Sequence, residues 1–291
     1  MNREITGHTV LTCLLGSPVA HSISPQMHNE SFRILGLDYA YLAFDVAPEQ
    51  LNSVVNSLKI MNARGFNLTM PHKNVICDYV DHLSPAARLS HSVNTVVNDN
   101  GILTGHTTDG IGYMRAVEDA GHSIIGKKMT LLGAGGASSS VLVQAALDGV
   151  KEIDVFNRRG TNFDRAQILI DRLNQETECK VRLYDLEDEK RLEESISQSA
   201  ILTNGTSVGM NPNPDACPIK NLDVFHENLI VSDLIYNPRE TKLMRLARER
   251  GALAFNGLYM LLYQGAAAFE IWTGKEMPVD RIKELYFNEK L

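Results

Sequence analysis

The stretch M-T-L-L-G-A-G-G-A-S, residues 129–138, decides the fold of this chain. Met129 to Leu132 predicts a short buried strand and Ser138 to Leu147 an apolar helix, so the glycines fall in a strand–loop–helix turn. Glycines there let the backbone approach a pyrophosphate, whose charge then lies at the helix N-terminus. Ser138 stands where the usual pattern has a third glycine, and it is small enough for close helix–sheet packing. A dinucleotide-binding βαβ unit is therefore predicted, with a glycine turn that binds no ligand as the alternative.

Alternating strand and helix patterns extend from this unit in both directions. Downstream, repeated βα winding predicts a parallel sheet, with strands at Glu152 to Phe156, Val181 to Tyr184, Ile201 to Thr203 and Leu229 to Leu234. Upstream, Leu51, Val54, Val55 and Leu58 repeat at helical spacing and predict an amphipathic helix over Glu49 to Lys59. Strands are also predicted at Val10 to Leu15 and Tyr39 to Val46, and a hairpin at Asn94 to Thr104 turning on Asp99-Asn100-Gly101.

Two domains are expected, because 291 residues exceed the length of most single compact domains. The more regular winding begins near Asp109. The final segment, Gly257 to Leu291, reads as helical, with more apolar surface than an exposed terminal helix needs, so we expect it to pack on the first domain. The predicted organisation is α/β throughout: a Rossmann dinucleotide-binding domain at 110–256 and a discontinuous substrate (catalytic) domain at 1–109 and 257–291.

The composition of the chain restricts the kinds of partner that we expect it to bind. A net charge of -7 argues against a nucleic-acid or anionic-membrane surface. The four cysteines are scattered, with no CxxC pair, and the histidines fit no ligand spacing, so no metal site is predicted. Met1 to Thr9 is too polar for a signal peptide, and the most apolar stretch is too short to span a bilayer. We expect a cytoplasmic protein that binds a small molecule, and a homodimer as its assembly.

Three polar clusters in the first domain suggest a binding face. Ser22 and Ser24 lie two residues apart in what we predict to be an extended segment before a helix, where both hydroxyls would face one side and hold a carboxylate. The segment Asn67 to Lys73 ends a strand and begins a helix, which places Lys73 near that helix's N-terminus. Asn94-Thr95 and Thr107 to Gly110 form the third cluster. Taken singly, these residues could equally be helix caps and a solvated lysine.

The residues after the second strand of the dinucleotide unit bear on the cofactor. An Asp or Glu about 20 residues beyond the glycines binds the ribose hydroxyls of NAD. Here the sequence is Asn157-Arg158-Arg159-Gly160, with no acid. Arginines suit a 2′-phosphate or stack on adenine. These residues alone therefore predict NADP, with a solvated charged loop as the alternative.

Taken in order, the motifs resemble the shikimate dehydrogenase family, and within it the quinate/shikimate dehydrogenases, over essentially the whole chain. The similarity rests on S-P-V-A-H-S-I-S-P-Q-M-H-N at 17–29, N-L-T-M-P-H-K at 67–73, V-N-T at 93–95, T-D-G at 108–110, G-A-G-G-A at 133–137, N-R-R at 157–159, L-T-N-G-T-S-V-G-M at 202–210, D-L-I-Y-N-P at 233–238 and N-G-L-Y-M-L-L-Y-Q-G-A at 256–266.

The resemblance implies NAD(P)-dependent oxidation of shikimate to 3-dehydroshikimate, and of quinate to 3-dehydroquinate, in the pathway to chorismate and the aromatic amino acids. It assigns the reacting hydroxyl to Lys73 and Asp109. It implies a substrate set of Ser22, Ser24, Tyr39, Thr69, Lys73, Asn94, Thr108, Asp109 and Gln264. It also implies a cofactor set of Gly133, Ala134, Gly135, Gly136, Ala137, Asn157, Arg158, Arg159, Gly160, Ser207, Leu234, Ile235, Tyr236 and Gly257.

NAD is the expected cofactor, with NADP as the alternative. Arg159 replaces the Thr of the strictly NADP-type Asn-Arg-Thr signature, while Gly160 replaces the Asp of relatives that favour NAD. Two other classes share the glycine loop: a non-catalytic dinucleotide sensor, and a methyltransferase. Neither needs Lys73 and Asp109 beside a set of hydroxyl-binding residues.

Overall fold

The computed structural model describes residues 4–287. Contacts between residues divide the chain into two units. The first contains the described residues up to Thr108 and those from Leu262 onward, and the second contains Asp109–Leu261. The joins thus follow residues 108 and 261, where the sequence suggested joins after 109 and 256.

The first unit is built on a six-stranded sheet. Its strands are β1 (Val10–Gly16), β2 (Tyr39–Asp45), β3 (Gly65–Leu68), β4 (His82–Leu83), β5 (Thr95–Asp99) and β6 (Ile102–His106). Their order is β2-β1-β3-β5-β6-β4. β1 is parallel to β2 and β3, whereas β5 is antiparallel to β3 and β6. The predicted hairpin is confirmed: Asn100 and Gly101 have φ of 55° and 90°, as a two-residue type I′ turn requires.

Three helices accompany this sheet: α1 (Ser24–Leu35), α2 (Leu51–Ile60) and α3 (Pro85–Ser90). A 3₁₀ turn at Pro48–Gln50 leads into α2, and another lies at Val75–Asp78. The predicted amphipathic helix is confirmed as α2, because Leu51, Val55 and Leu58 are buried in the core of the unit.

The second unit has a six-stranded, fully parallel sheet. Its strands are β7 (Lys128–Leu132), β8 (Glu152–Asn157), β9 (Lys180–Asp185), β10 (Ile201–Asn204), β11 (Ile230–Asp233) and β12 (Leu253–Phe255). The connecting helices are α4 (Asp109–Asp119), α5 (Gly136–Leu147), α6 (Thr161–Glu176), α7 (Glu189–Ser197) and α8 (Lys242–Glu249), with a 3₁₀ turn at Leu222–Val224. The order β9-β8-β7-β10-β11-β12 is the dinucleotide-binding arrangement, and it reverses between β7 and β10.

The end of the described chain is helical, as the sequence predicted, with α9 (Leu258–Thr273), α10 (Val279–Ile282) and a π-helical turn at Lys283–Phe287. Trp272 of α9 is buried in the first unit, and its indole Nε1 donates a hydrogen bond to the Val96 carbonyl at 2.9 Å. A Cβ on Gly265 would lie 2.1 Å from Cε at the end of the Met27 side chain, so α9 packs closely on α1 at this glycine. None of the helices within residues 4–287 is long and apolar enough to cross a membrane.

Candidate active site

Most of the predicted substrate residues follow or precede strands at one edge of the first sheet. Ser22 and Ser24 come after β1, and Thr69 and Lys73 come after the parallel strand β3. Because β5 is antiparallel to β3 and β6 is antiparallel to β5, Asn94 and Thr108 reach the same edge. We call this edge, with Ser22, Ser24, Thr69, Lys73, Asn94 and Thr108, the polar edge.

Asn94 is the centre of a hydrogen-bond network at the polar edge. Its side chain is buried, its Oδ1 accepts from the Thr108 amide at 2.8 Å, and its Nδ2 donates to Thr108 Oγ1 at 3.0 Å. The same Nδ2 lies 3.3 Å from Gln264 Oε1 of α9. The structure therefore brings together three predicted residues that are far apart in sequence.

The segment before α1 is a turn and not extended, so the predicted reason for the Ser22–Ser24 pairing was wrong. Ile23 is in the right-handed helical region, with φ -82° and ψ -11°. The two serines are nonetheless in contact, because Ser22 Oγ accepts a hydrogen bond from the Ser24 amide at 3.2 Å. Both hydroxyls therefore lie at the start of α1, where the helix dipole favours a negative group.

Tyr39 does not join the polar edge, and this assignment needs correction. It is the first residue of β2 and pairs with Val10, the first residue of β1. Six residues of strand separate that register from Gly16, about 20 Å at the usual rise. Its ring instead stacks on Phe32, with centroids 5.0 Å apart.

Sequence reasoning missed Tyr41, which underlies the polar edge. Its hydroxyl donates to Asn67 Oδ1 at 2.8 Å and hydrogen-bonds Ser24, and Asn67 Nδ2 in turn donates to the Asn94 carbonyl at 2.9 Å. Burial raises the pKa of Tyr41 well above its usual range, so the phenol stays neutral and can donate. A tyrosine on an alternating strand carries no signal for this role, because only pairing of β1, β2 and β3 places it beside Asn67.

Lys73 and Asp109 are held by backbone structure in different units. Lys73 is half-buried and precedes the 3₁₀ turn Val75–Asp78, and its carbonyl accepts from the Val93 amide at 2.8 Å. Asp109 directly follows Thr108 and is the first residue of α4, where a carboxylate is favoured by the helix dipole.

In the second unit, the glycine loop turns tightly and leads directly into a helix. Gly133 has φ +89°, and a Cβ there would lie 3.0 Å from the Gly205 backbone. The helix α5 begins at Gly136, directly after this loop. Ser138, at the third position of the pattern, is fully buried and donates to the Gly205 carbonyl at 3.0 Å. A Cβ on Gly205 would lie 2.1 Å from Ser138 Oγ, so Gly205 accommodates the serine.

A cavity of about 420 Å³ lies beside the glycine loop. Of the predicted cofactor residues it is lined by Ala137, Ser207, Leu234, Ile235 and Tyr236. Sequence reasoning missed the other lining residues, which are Gly205, Thr206, Met210, Asn211 and Asn237. Gly257 supports this wall, since a Cβ there would lie 2.2 Å from the Leu234 carbonyl oxygen.

Two buried polar residues at the strand ends hold the loops of this cavity. Asn204 Oδ1 accepts from the Thr206 amide and hydroxyl at 3.1 and 2.7 Å. Asn204 Nδ2 donates to Asp233 Oδ1 at 3.1 Å, and the same oxygen accepts from the Ile235 amide. Burial raises the pKa of Asp233 above its ordinary value. One asparagine–aspartate pair thus orders both loops.

The segment Asn157 to Gly160, predicted from the sequence to bind the cofactor, begins at the last residue of β8. Asn157 Nδ2 donates to the Arg158 carbonyl at 3.0 Å, and Arg159 Nε donates to Asp185 Oδ2 at 2.9 Å. Gly160 has φ +133°, which a residue with a side chain rarely adopts. Placing an aspartate at position 160 would therefore strain the backbone.

A glycine loop and cavity on a parallel 3-2-1-4-5-6 sheet, together with a second α/β unit carrying a polar edge, define a two-unit protein of the dinucleotide-binding class. A family model described as "Shikimate dehydrogenase substrate binding domain" matches residues 14–96, and one described as "Shikimate 5'-dehydrogenase C-terminal domain" matches residues 257–285. The shikimate dehydrogenase (NADP(+)) of Listeria monocytogenes serotype 4b is 53% identical over 287 residues, covering 99% of both chains.

Comparison with solved structures leads to the same family. Shikimate 5-dehydrogenase from Listeria monocytogenes, in complex with shikimate and NAD, superposes with a TM-score of 0.95 at 53% identity, covering 98% of this chain and 99% of that chain. Quinate dehydrogenase from Corynebacterium glutamicum, in complex with NAD, has a TM-score of 0.84 at 28% identity, covering 96% and 99%. This chain belongs to the shikimate dehydrogenase family, a family of NAD(P)-dependent oxidoreductases. The resemblance and the fold class predicted from the sequence are confirmed.

Proposed function

We propose that this chain catalyses the reversible NAD(P)-dependent oxidation of shikimate to 3-dehydroshikimate, on the route to chorismate and the aromatic amino acids. Quinate, oxidised to 3-dehydroquinate, is the second substrate we propose. The observation that carries the proposal is the Asn94–Thr108–Gln264 network at the polar edge. Neutral amides and hydroxyls fixed in this way match the alternating donors and acceptors of a polyhydroxylated ring.

Lys73 and Asp109 are the proposed catalytic residues. When bound, NAD(P) supplies the hydride acceptor for this reaction. Lys73 takes the proton from the reacting hydroxyl during oxidation and returns it during reduction of the ketone. The neutral amine of this lysine is the base for oxidation, and its ammonium is the acid for reduction. Asp109 orients that ammonium.

The remaining substrate contacts follow from the polar edge. Ser22 and Ser24, at the start of α1, bind the carboxylate, and the helix dipole favours the same negative charge. Thr69, Asn94, Thr108 and Gln264 bind the ring hydroxyls.

The cofactor occupies the second unit in this proposal. The pyrophosphate lies against Gly133 to Ala137, because the positive φ of Gly133 and the start of α5 match the demands of that group. The cavity residues Ser207, Leu234, Ile235 and Tyr236, supported by Gly257, hold the nicotinamide end, and Asn157, Arg158, Arg159 and Gly160 lie at the adenosine end. We propose NAD as the working cofactor, with NADP accepted less well.

An absorbance assay of the reduced nicotinamide tests the function, with shikimate and quinate each paired with NAD and NADP. We expect turnover with shikimate, and a higher kcat/KM for NAD than for NADP. Absence of turnover in all four pairings, while ADP-ribose still binds, would favour the non-catalytic dinucleotide sensor instead.

Three further features belong to the proposal. The substrate domain comprises residues 1–109 and 257–291, and the dinucleotide domain residues 110–256. The scattered cysteines favour the cytoplasm. A homodimer is supported by Leu42 and Phe44, which are 49% and 39% exposed on the edge strand β2. Light scattering during size exclusion measures the assembly, and a monomer mass would exclude the dimer.

A further inference from the structure

We propose that Asp185 sets the cofactor preference, by pairing with Arg159 and by supplying the negative charge that position 160 lacks. This inference rests on the proposed function, because it assumes that the adenosine end of NAD(P) lies at the end of β8.

The position of Asp185 follows from strand register. β9 lies beside β8, and Asp185 pairs with Asn157, the last residue of β8. Neighbouring strands lie about 4.8 Å apart. The end of β8 is where an acid normally binds the ribose hydroxyls and repels a 2′-phosphate. Asp185 therefore places a carboxylate next to that position from the adjacent strand.

The carboxylate of Asp185 is fixed at both oxygens. Oδ1 accepts from the Glu187 amide at 3.1 Å, and Oδ2 accepts from Arg159 Nε at 2.9 Å. These hydrogen bonds hold the pKa of Asp185 below its ordinary value, so it is ionised at neutral pH. The charge is therefore a permanent feature of the site.

Arg159 is restrained from two sides. Beyond its bond to Asp185, its guanidinium lies over the Phe163 ring of α6, 4.4 Å from the centroid. An arginine whose charge is balanced by a fixed carboxylate attracts a phosphate less than a free one does, because the phosphate also meets the carboxylate. The Arg159–Asp185 pair thus disfavours NADP relative to NAD.

Arg158 limits how strongly the site discriminates against NADP. Its side chain is exposed and forms no ion pair with any described residue. It remains available to a 2′-phosphate, so NADP binds weakly instead of being excluded.

Removing the charge of Asp185 tests the inference. Asp185→Asn should raise the ratio of kcat/KM for NADP to that for NAD about tenfold, or about 1.4 kcal/mol. Asp185→Ser, which keeps an acceptor for the Glu187 amide, should act in the same direction, whereas Asp185→Glu should keep the parent ratio. The matched control is Asp223→Asn, which breaks an exposed ion pair to Arg250 of 2.7 Å elsewhere in the unit. It should leave the ratio unchanged.

A double-mutant cycle separates positioning from a general charge effect. Arg159→Ala should lower the NADP kcat/KM far more in the Asp185→Asn background than in the parent, because only there is Arg159 released to bind phosphate. Equal losses in both backgrounds, or a ratio that shifts less than twofold in both neutral Asp185 variants, overturn the inference.

Calorimetric binding of ADP-ribose and 2′-phospho-ADP-ribose keeps this inference apart from the proposed function. A parent that binds the phosphorylated ligand tenfold more tightly refutes the role of Asp185 while leaving the dehydrogenase activity intact. A parent that oxidises neither acid refutes the proposed function, and the same two ligands still measure what Asp185 does.

Discussion

At the scale of single residues, the polar edge combines groups that act in different ways. Lys73 is proposed to move a proton, whereas Ser22 and Ser24 are proposed to bind. Tyr41 and Asn67 position Ser24 and Asn94, because they connect these two residues through hydrogen bonds. These roles predict different kinetic consequences for substitution.

Lys73→Ala should lower kcat by about 10²- to 10⁴-fold, because general acid–base catalysis acts only in the transition state. The Kd of the cofactor should change little. Steady-state kinetics with shikimate measures kcat, and calorimetry measures the cofactor Kd. Lys59→Ala, which removes a partly exposed lysine paired with Asp81, is the control. Near-normal turnover in the Lys73 variant would remove this lysine from the chemistry.

Replacing both Ser22 and Ser24 with alanine should raise the KM for shikimate about 100-fold or more, because a hydrogen bond to a charged group contributes roughly 1.5–3 kcal/mol net and two such bonds are lost. The KM for the cofactor should stay constant. Ser53→Ala, on the exposed side of α2, is a matched serine control. An unchanged KM would leave the pair with a purely structural role at the start of α1.

We expect His28 to make the free energy of unfolding depend on pH. Its ring is fully buried and stacks on Tyr41 with centroids 4.5 Å apart, and neither ring nitrogen has a hydrogen-bond partner within residues 4–287. Burial lowers its pKa from 6.5 to about 3. Below pH 6.5 the unfolded chain therefore binds a proton that the folded chain does not, and acid favours unfolding.

We expect His28 to cost up to about 1.4 kcal/mol of unfolding free energy for each pH unit between 6.5 and 3. His28→Leu should flatten this part of the stability curve, measured by urea unfolding at successive pH values. His8→Gln, at an exposed ring, should not. Parallel curves for parent and His28→Leu would show that His28 is not the source.

At the scale of elements, the loops after β10 and β11 depend on each other. Asn204 ends β10, Asp233 ends β11, and their hydrogen bond joins the two loops that line the cavity. Strand pairing places these residues side by side, Asn204 opposite Asp233. The cavity is therefore shaped by the strand ends as much as by the glycine loop.

Asp233→Asn should raise the Kd of NAD about tenfold and lower the free energy of unfolding by about 1–3 kcal/mol, because an amide cannot accept from all its present donors. Thr241→Val is the matched control. It removes the 2.7 Å bond to Asp233 Oδ2 and the side-chain cap of the Met244 amide, but keeps the bonds of Oδ1 to Asn204 and Ile235. If both variants weaken NAD binding equally, the loss reflects stability and not loop geometry.

At the scale of the whole molecule, the first unit draws on both ends of the chain. Trp272 donates to Val96, and its own carbonyl accepts from Arg64 Nε at 2.8 Å. The core of the first unit therefore requires α9.

Trp272→Ala should destabilise the first unit by about 3–5 kcal/mol, since it empties a large buried site. Trp272→Phe, which loses mainly the indole hydrogen bond, should cost much less. Denaturant unfolding measures the loss of stability, and ADP-ribose binding is measured in the same variants. Binding should persist, because the residues proposed to bind ADP-ribose lie in the second unit. If ADP-ribose binding is lost in the same unfolding transition as the structure of the first unit, this expectation is wrong.

The sequence determined the order of elements and the glycine loop, because hydrophobic period and turn residues act over a few neighbours. It also predicted the hairpin at Asn100-Gly101 and the helical C-terminal segment. Where local conformation was subtle it failed: the turn at Ile23 was expected to be extended, and Tyr39 was expected at the substrate. Only the tertiary structure decided that Tyr39 lies at the far end of β2, and that Asp185 meets Arg159. Contacts of that kind depend on which strands pair and in what register, which no local pattern specifies.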